Sequence, residues 1–127
     1  MPARRVLLID DEDDVREVAQ VSLELVANWD VLTAGSGAEG IERAAADQPD
    51  AIVLDVMMPN LDGPSTLQRL HANPRTRHIP VVFLTATAQR AADRERLASL
   101  GALGVIAKPF DPLQLPTQIA SALGWAA

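Results

Sequence analysis

Four places in this chain carry side chains able to do chemistry, and each closes a short apolar run. Asp10 and Asp11 follow Val6-Leu7-Leu8-Ile9; Asp55 follows Ala51-Ile52-Val53-Leu54; Thr85 follows Val81-Val82-Phe83-Leu84; Lys108 follows Leu103 to Ala107. Brought to one edge of a fold, three carboxylates repel one another unless a cation shares them. Oxygen-only ligands without His or Cys favour a hard ion, Mg²⁺ or Mn²⁺. A site with few protein ligands leaves coordination positions open, and a phosphoryl oxygen is a natural occupant. Lys108 offers a mobile point charge for the same oxygens, and Thr85 offers a hydroxyl donor. Each residue alone has a plainer reading: a solvated strand end for Asp10-Asp11, turn chemistry for Asp55, a β-branched strand terminus for Thr85, a surface lysine for Lys108. Four strand ends agreeing on one chemistry outweigh those readings.

The elements that must position these residues alternate strictly. Arg5 to Ile9 is too short for a helix and suits a strand buried on both faces. From Asp13 the spacing turns helical, with Val15, Val18, Ala19, Ser22, Leu23, Leu25 and Val26 forming a stripe that ends near Asn28. Asp30 to Ala34 reads as a second strand. Ser36 can cap a helix through about Asp47, with Glu39 completing a capping box. Asp50 to Leu54 is a third strand, followed by a turn-rich segment to Gly63. Pro64 suits the first turn of a helix reaching about Asn73. Val81 to Leu84 is a fourth strand, and a helix over roughly Ala88 to Leu100 stops at Gly101. Leu103 to Ala107 is a fifth strand and Pro112 to Leu123 a last helix. Five strands alternating with five helices predict an α/β fold, a five-stranded parallel sheet with helices on both faces and right-handed crossovers. Such sheets bind ligands beyond the C-terminal ends of their strands, where all four sets fall.

Composition bounds the function. The chain has 127 residues, 48% of them apolar and 22% charged, which fits a single domain over residues 1–127 with no output domain. There is no cysteine, which excludes disulfides, thiolate metal sites and cysteine nucleophiles. A net charge of −6 argues against nucleic acid as a partner, because duplex binding needs a basic face. Arg90, Arg94 and Arg96 share their segment with Asp93 and Glu95, as on a solvated helix. No stretch approaches the length of a membrane span, and the basic start followed by a four-residue apolar run is too short for a signal peptide. A cytoplasmic protein without membrane contact is expected.

The chain resembles the receiver domains of two-component response regulators, the CheY-like family. The resemblance rests on Leu7-Leu8-Ile9-Asp10-Asp11-Glu12, Asp55-Val56-Met57-Met58-Pro59 with Asp62-Gly63, Phe83-Leu84-Thr85-Ala86, and Lys108-Pro109-Phe110, at fitting spacings over essentially the whole chain. It implies a flavodoxin-like (βα)5 fold with strand order 2-1-3-4-5. It implies that Asp55 is the phosphoacceptor, that Asp11, Asp55 and the main-chain carbonyl of Met57 bind Mg²⁺, and that Asp10 acts mainly through a water. Lys108 and Thr85 would contact the phosphoryl group, and the Lys108–Pro109 bond would be cis. The phosphodonor would be a histidine kinase or a small molecule. The chain would be a signalling switch rather than a turnover enzyme, acting through the surface of its fourth helix, fifth strand and fifth helix on a downstream target protein. Alternatively it relays the phosphoryl group to a histidine phosphotransfer protein. The family also implies a monomer or a weak phosphorylation-dependent dimer, and by analogy Met57 and Thr87 tune how fast the phosphoryl group is lost. One position departs from the pattern: Val105 stands where the family usually carries an aromatic residue, and valine cannot make the inward rotation expected there.

Other readings compete. Gly35-Ser36-Gly37-Ala38-Glu39-Gly40 matches the dinucleotide fingerprint, with Asp55 about 20 residues beyond its first glycine. It follows the second strand, however, and the chain lacks room for two mononucleotide-binding halves. An aspartyl phosphatase would need an acid/base carboxylate two residues after the nucleophile, where this chain has Met57. A non-phosphorylated binding module of the same fold would not be expected to keep all five acidic-site residues. His71 and His78 read as solvent-facing polar residues, Met57-Met58 as packing, and Trp29 and Trp125 as cover for the edge of the core.

Overall fold

The computed structural model describes residues 3–86 and 90–125. Five parallel strands, β1 (Arg5–Ile9), β2 (Asp30–Ala34), β3 (Ala51–Asp55), β4 (Val81–Thr85) and β5 (Gly104–Ala107), form one sheet in the order β2-β1-β3-β4-β5. Five helices connect and follow them: α1 (Asp13–Ala27), α2 (Gly37–Asp47), α3 (Gly63–Ala72), α4 (Ala91–Ala98) and α5 (Leu115–Leu123). The expected fold class and strand order are both found. The register aligns the ends of the strands: Ile9 pairs with Ala34 and Leu54, Asp55 with Leu84, and Thr85 with Ala107.

The continuous apolar runs form strands because both faces of the sheet are covered. Leu7, Ile9, Ile52, Leu54 and Phe83 point to one side and pack with Ala44 of α2, Leu67 and Leu70 of α3 and Leu97 of α4. Val6, Leu8, Val53, Val82 and Leu84 point to the other and pack with Ala19 and Leu23 of α1 and Leu115 and Ile119 of α5. Period-two alternation along each strand thus builds two core layers from five short segments. Trp29 and Trp125 close the second layer with their rings edge to face at 5.2 Å, and the Arg4 guanidinium lies 4.4 Å from the Trp125 ring.

Helix ends follow their local chemistry. Ser36 accepts from the Glu39 N–H at 3.1 Å, and Asp62 accepts from the Ser65 N–H at 2.8 Å. Asn28 and Gly124 take left-handed conformations at the ends of α1 and α5, and Gly101 does so beyond α4.

Several boundaries differ from the sequence reading. The third strand starts at Ala51; Asp50, just before it, donates its N–H to the Arg5 carbonyl at 2.7 Å and accepts from the Arg5 N–H through its side chain at 2.8 Å. The last helix starts at Leu115, because Asp111 organises a turn first: its side chain accepts from the Leu113 N–H and its carbonyl from the Gln114 N–H. The fourth helix spans Ala91–Ala98, and the expected start at Ala88 lies outside the described residues. In α1 only Ala19, Ser22 and Leu23 of the apolar stripe are buried; Val18, Leu25 and Val26 face outward. Among the described residues no helix is long and apolar enough to cross a membrane.

Candidate functional site

Each strand end delivers its side chain with the backbone fixed. Asp55 and Thr85 are the last residues of β3 and β4. Asp10 directly follows β1, and its N–H donates to the Ala34 carbonyl at 3.1 Å. Lys108 directly follows β5, and its N–H donates to the Thr85 carbonyl at 2.9 Å. Sheet hydrogen bonding therefore continues one residue past two strands and pins the residues that carry charge. The Lys108–Pro109 peptide is cis, as the resemblance implied.

The cluster is buried and ionic. Asp10 and Thr85 are fully buried, and Asp55 is 3% exposed. Lys108 Nζ lies 2.8 Å from Asp10 Oδ2 and 3.2 Å from Asp55 Oδ1, with Glu12 Oε1 at 3.5 Å on the rim. Asp10 Oδ1 also accepts from the Glu12 N–H at 2.9 Å. Carboxylate oxygens of Asp10, Asp11 and Asp55 all lie within 4.8 Å of one another.

One lysine does not balance three carboxylates. Burial pushes the Asp55 carboxyl up from 3.8 to about 6, and the Asp10 charge adds to the shift; Lys108 pulls the other way without cancelling it. Burial acts against the Lys108 ammonium, but its hydrogen bond to Asp10 and the charges of Asp10 and Asp55 outweigh that, and its pKa is raised. Asp11 Oδ1 and Asp55 Oδ2 are buried and take no hydrogen bond. Two unpartnered buried oxygens in a carboxylate cluster are costly, and a divalent cation with a preference for oxygen fits them.

The structure brings together Asp10, Asp11, Asp55 and Lys108, with Thr85 at the adjoining strand end. Met57 sits two residues after Asp55, but it is 66% exposed while Met58 packs in the core. The expectation that both methionines pack holds for Met58 alone, because the chain turns outward after the buried Val56. Thr87 lies outside the described residues. His71 lies in the last turn of α3 beside Gly101, and His78 is exposed ahead of β4. Neither adjoins the cluster. Val105 is partly buried against the first core layer.

Three further residues take part; Glu12 and Gly63 stand within the quoted motifs without an assigned role, and Arg16 lies outside them. Glu12 reaches Lys108 from the rim. Gly63 lies so close to the phosphoacceptor candidate that a Cβ would come within 2.4 Å of the Asp55 carbonyl oxygen. Arg16 of α1 donates to the Asp10 carbonyl. An open groove of about 570 Å³, walled by Val15, Val18, Ala86, Pro109 and Phe110, runs beside Lys108.

A family model for the response regulator receiver domain matches residues 6–120. Among curated relatives, the DNA-binding dual master transcriptional regulator RpaA of Synechocystis sp. is 37% identical over 94% of this chain, and Response regulator PleD of Caulobacter vibrioides is 39% identical over 92%. The chain spans 48% of the first protein's length and 25% of the second's. Among solved structures, the chemotaxis response regulator CheY4 of Vibrio cholerae superposes with a TM-score of 0.86 at 26% identity, over 94% of this chain and 98% of that one. The order of the strands, the carboxylates gathered at their ends and the family match over residues 6–120 agree: this chain belongs to the response regulator receiver domains of two-component signalling.

Proposed function

We propose that the domain is a phosphorylation switch in which Asp55 accepts a phosphoryl group from a phosphohistidine of a histidine kinase, or from a small phosphodonor. An Asp55 carboxylate oxygen forms a bond to phosphorus as the bond from phosphorus to the donor nitrogen breaks, and the imidazole leaves with the electron pair. The product is an acyl phosphate, which water hydrolyses to reset the switch. Positioning and charge neutralisation supply most of such catalysis. Lys108, already paired to Asp55, balances charge on the phosphoryl oxygens, and the Thr85 hydroxyl donates to them. Asp11, Asp55 and the main-chain carbonyl of Met57 would hold Mg²⁺ or Mn²⁺, with Asp10 acting through a water. The bound ion would neutralise the carboxylates and polarise the phosphoryl group. The apolar groove beside Lys108 gives a donor protein a wall to lie against. The face of α4, β5 and α5 would pass the state to a downstream protein, without rotation of an aromatic side chain because Val105 occupies that position.

The observation that carries this reading is the pair of unpartnered buried oxygens on Asp11 and Asp55 beside the Lys108 ammonium. Intact mass after incubation with acetyl phosphate and Mg²⁺ tests it. One added phosphoryl group is expected on the native protein, and none after chelation or in Asp55→Ala. No adduct under any condition, together with no response to beryllofluoride, would leave a silent binding module instead.

A further inference from the structure

Arg16 contributes no atom to the carboxylate cluster, yet its guanidinium holds the peptide that joins two members. Its Nη1 donates to the Asp10 carbonyl oxygen at 2.8 Å, and its Nη2 donates to Asp13 Oδ1 at 2.5 Å. The planar fork of a guanidinium can serve both acceptors at once, which an ammonium does less well. A Cβ on Gly35, just past β2, would come within 3.3 Å of Nη1, so the bare backbone there gives the guanidinium its seat. The side chain is mostly buried between the end of β2 and the first turns of α1.

Asp10 has further anchors: its N–H on Ala34, its Oδ1 on the Glu12 N–H and its Oδ2 on Lys108. Asp11 Oδ1 has none, being buried with no hydrogen bond. The direction of the Asp11 side chain is therefore set by the backbone either side of it and by the Asp55 carboxyl it faces. One side is the Asp10 carbonyl, fixed by Arg16; the other is the Glu12 N–H, fixed by Asp10 Oδ1.

We propose that Arg16 is a positioning residue for the divalent cation: by clamping the Asp10 carbonyl it fixes the Asp10–Asp11 peptide and aims the Asp11 carboxylate toward Asp55. The inference rests on the reading of the site as a metal-dependent phosphoacceptor. Outer groups that orient metal ligands typically change metal affinity by about 10–100-fold when removed.

The test is a Mn²⁺ titration followed by the loss of the free-ion paramagnetic resonance signal, on the native protein, Arg16→Gln, Arg16→Lys and Asp11→Ala. Each is held well below its own melting temperature. Native protein is expected to bind one ion and Asp11→Ala to lose it. Arg16→Gln should bind about 10-fold more weakly, and Arg16→Lys should recover part of that, since an ammonium can still donate to the carbonyl. Phosphorylation by acetyl phosphate supplies the second readout. In Arg16→Gln the Mg²⁺ concentration for half-maximal rate should rise about 10-fold while the rate at saturating Mg²⁺ stays within about twofold. A purely structural role would instead lower the saturating rate with the fraction folded. Native Mn²⁺ affinity in Arg16→Gln, or a lowered saturating rate with an unchanged Mg²⁺ requirement, overturns the positioning role and leaves the metal site standing. Absence of Mn²⁺ binding by the native protein overturns both.

Discussion

Lys108 Nζ stands 3.2 Å from Asp55 Oδ1 although the two residues close strands that are not neighbours: β4 lies between β3 and β5. The lysine reaches across the end of β4 and touches Asp10, at 2.8 Å, as well. One ammonium is thus divided between two buried carboxylates, with a third nearby in Asp11. Asp55 is left short of counter-charge, and its raised pKa is the result. The site is poised to gain from an added cation, and the same shortage makes the metal-free protein sensitive to pH.

The first prediction concerns that sensitivity. The folded-state pKa of Asp55 is about 6 against 3.8 for the free carboxyl. Between these values the folded state binds the extra proton, so the contribution is fully present below about pH 4 and is lost as pH rises through about 6. The loss is about 3 kcal/mol by the end of that window. Asp55→Asn, which cannot ionise, should be the more stable protein above pH 7 in a chelator, by up to that amount, and the two should converge toward pH 4. Denaturant unfolding of both proteins at pH 4.5, 6 and 7.5 measures it. A difference that does not vary with pH would show that Asp55 ionises in the folded state as it does in water.

The second concerns the lysine. Removing one partner of a buried ionic pair strands the other, at a typical cost of about 3–5 kcal/mol. Lys108→Met should therefore destabilise the metal-free protein at pH 7.5 by about 3 kcal/mol. In an Asp55→Asn background the cost should shrink, because one of the stranded charges is gone. A double-mutant cycle with a coupling above about 1 kcal/mol is expected. Strict additivity would mean that Lys108 is held by Asp10 alone.

Much of this arrangement is legible in the sequence, for a physical reason. Strands covered on both faces must be apolar throughout, so a charged residue marks where an apolar run stops; Asp10, Asp55 and Lys108 stand at such stops, and Asp10 and Asp55 are buried there all the same. The alternation of the elements gave the parallel sheet, and the motif resemblance the strand order. What stayed hidden depends on packing between segments distant in sequence. The spacing of Val18, Leu25 and Val26 makes a helical stripe, but only Ala19, Ser22 and Leu23 are covered, because how wide a stripe is buried depends on how α5 lies alongside α1. Pro112 fits a helix start as well as Pro116 does, and the Asp111 turn decides between them. Arg16 looks like any helix-surface arginine until the Asp10 carbonyl is found beside it.

Gly63 gives the third prediction. A Cβ there would come within 2.4 Å of the Asp55 carbonyl oxygen and 2.7 Å of Val56 Cα. Both are backbone atoms and cannot turn aside. The Gly63 N–H also donates to the Val56 carbonyl at 2.8 Å, closing the loop after Asp55. Gly63→Ala must therefore push α3 away from the end of β3, a strain of about 1–3 kcal/mol. It should also displace Asp55, so the mutant should need more Mg²⁺ to reach its half-maximal phosphorylation rate. Melting curves and a Mg²⁺ dependence check both parts; a mutant equal to the native protein in each would show that the loop yields freely.

Gly40 separates the dinucleotide reading from a packing one. In Gly35-Ser36-Gly37-Ala38-Glu39-Gly40, a Cβ on Gly37 would meet Thr66 Oγ1 at 2.3 Å, and one on Gly40 would meet Ile9 Cδ1 at 2.3 Å. These glycines let α2 approach β1 and α3, which accounts for their spacing without a phosphate. Gly40→Ala gains about 1 kcal/mol of helix propensity against about 1–3 kcal/mol of overpacking on Ile9. A net destabilisation of about 1 kcal/mol is expected, read from a lowered urea midpoint at unchanged slope. Pairing it with Ile9→Val, which removes the methyl nearest the new Cβ, should recover part of the loss. NADH titrated against the native protein should produce no saturable signal. Micromolar binding that Gly40→Ala weakens would return the motif to a nucleotide-binding role.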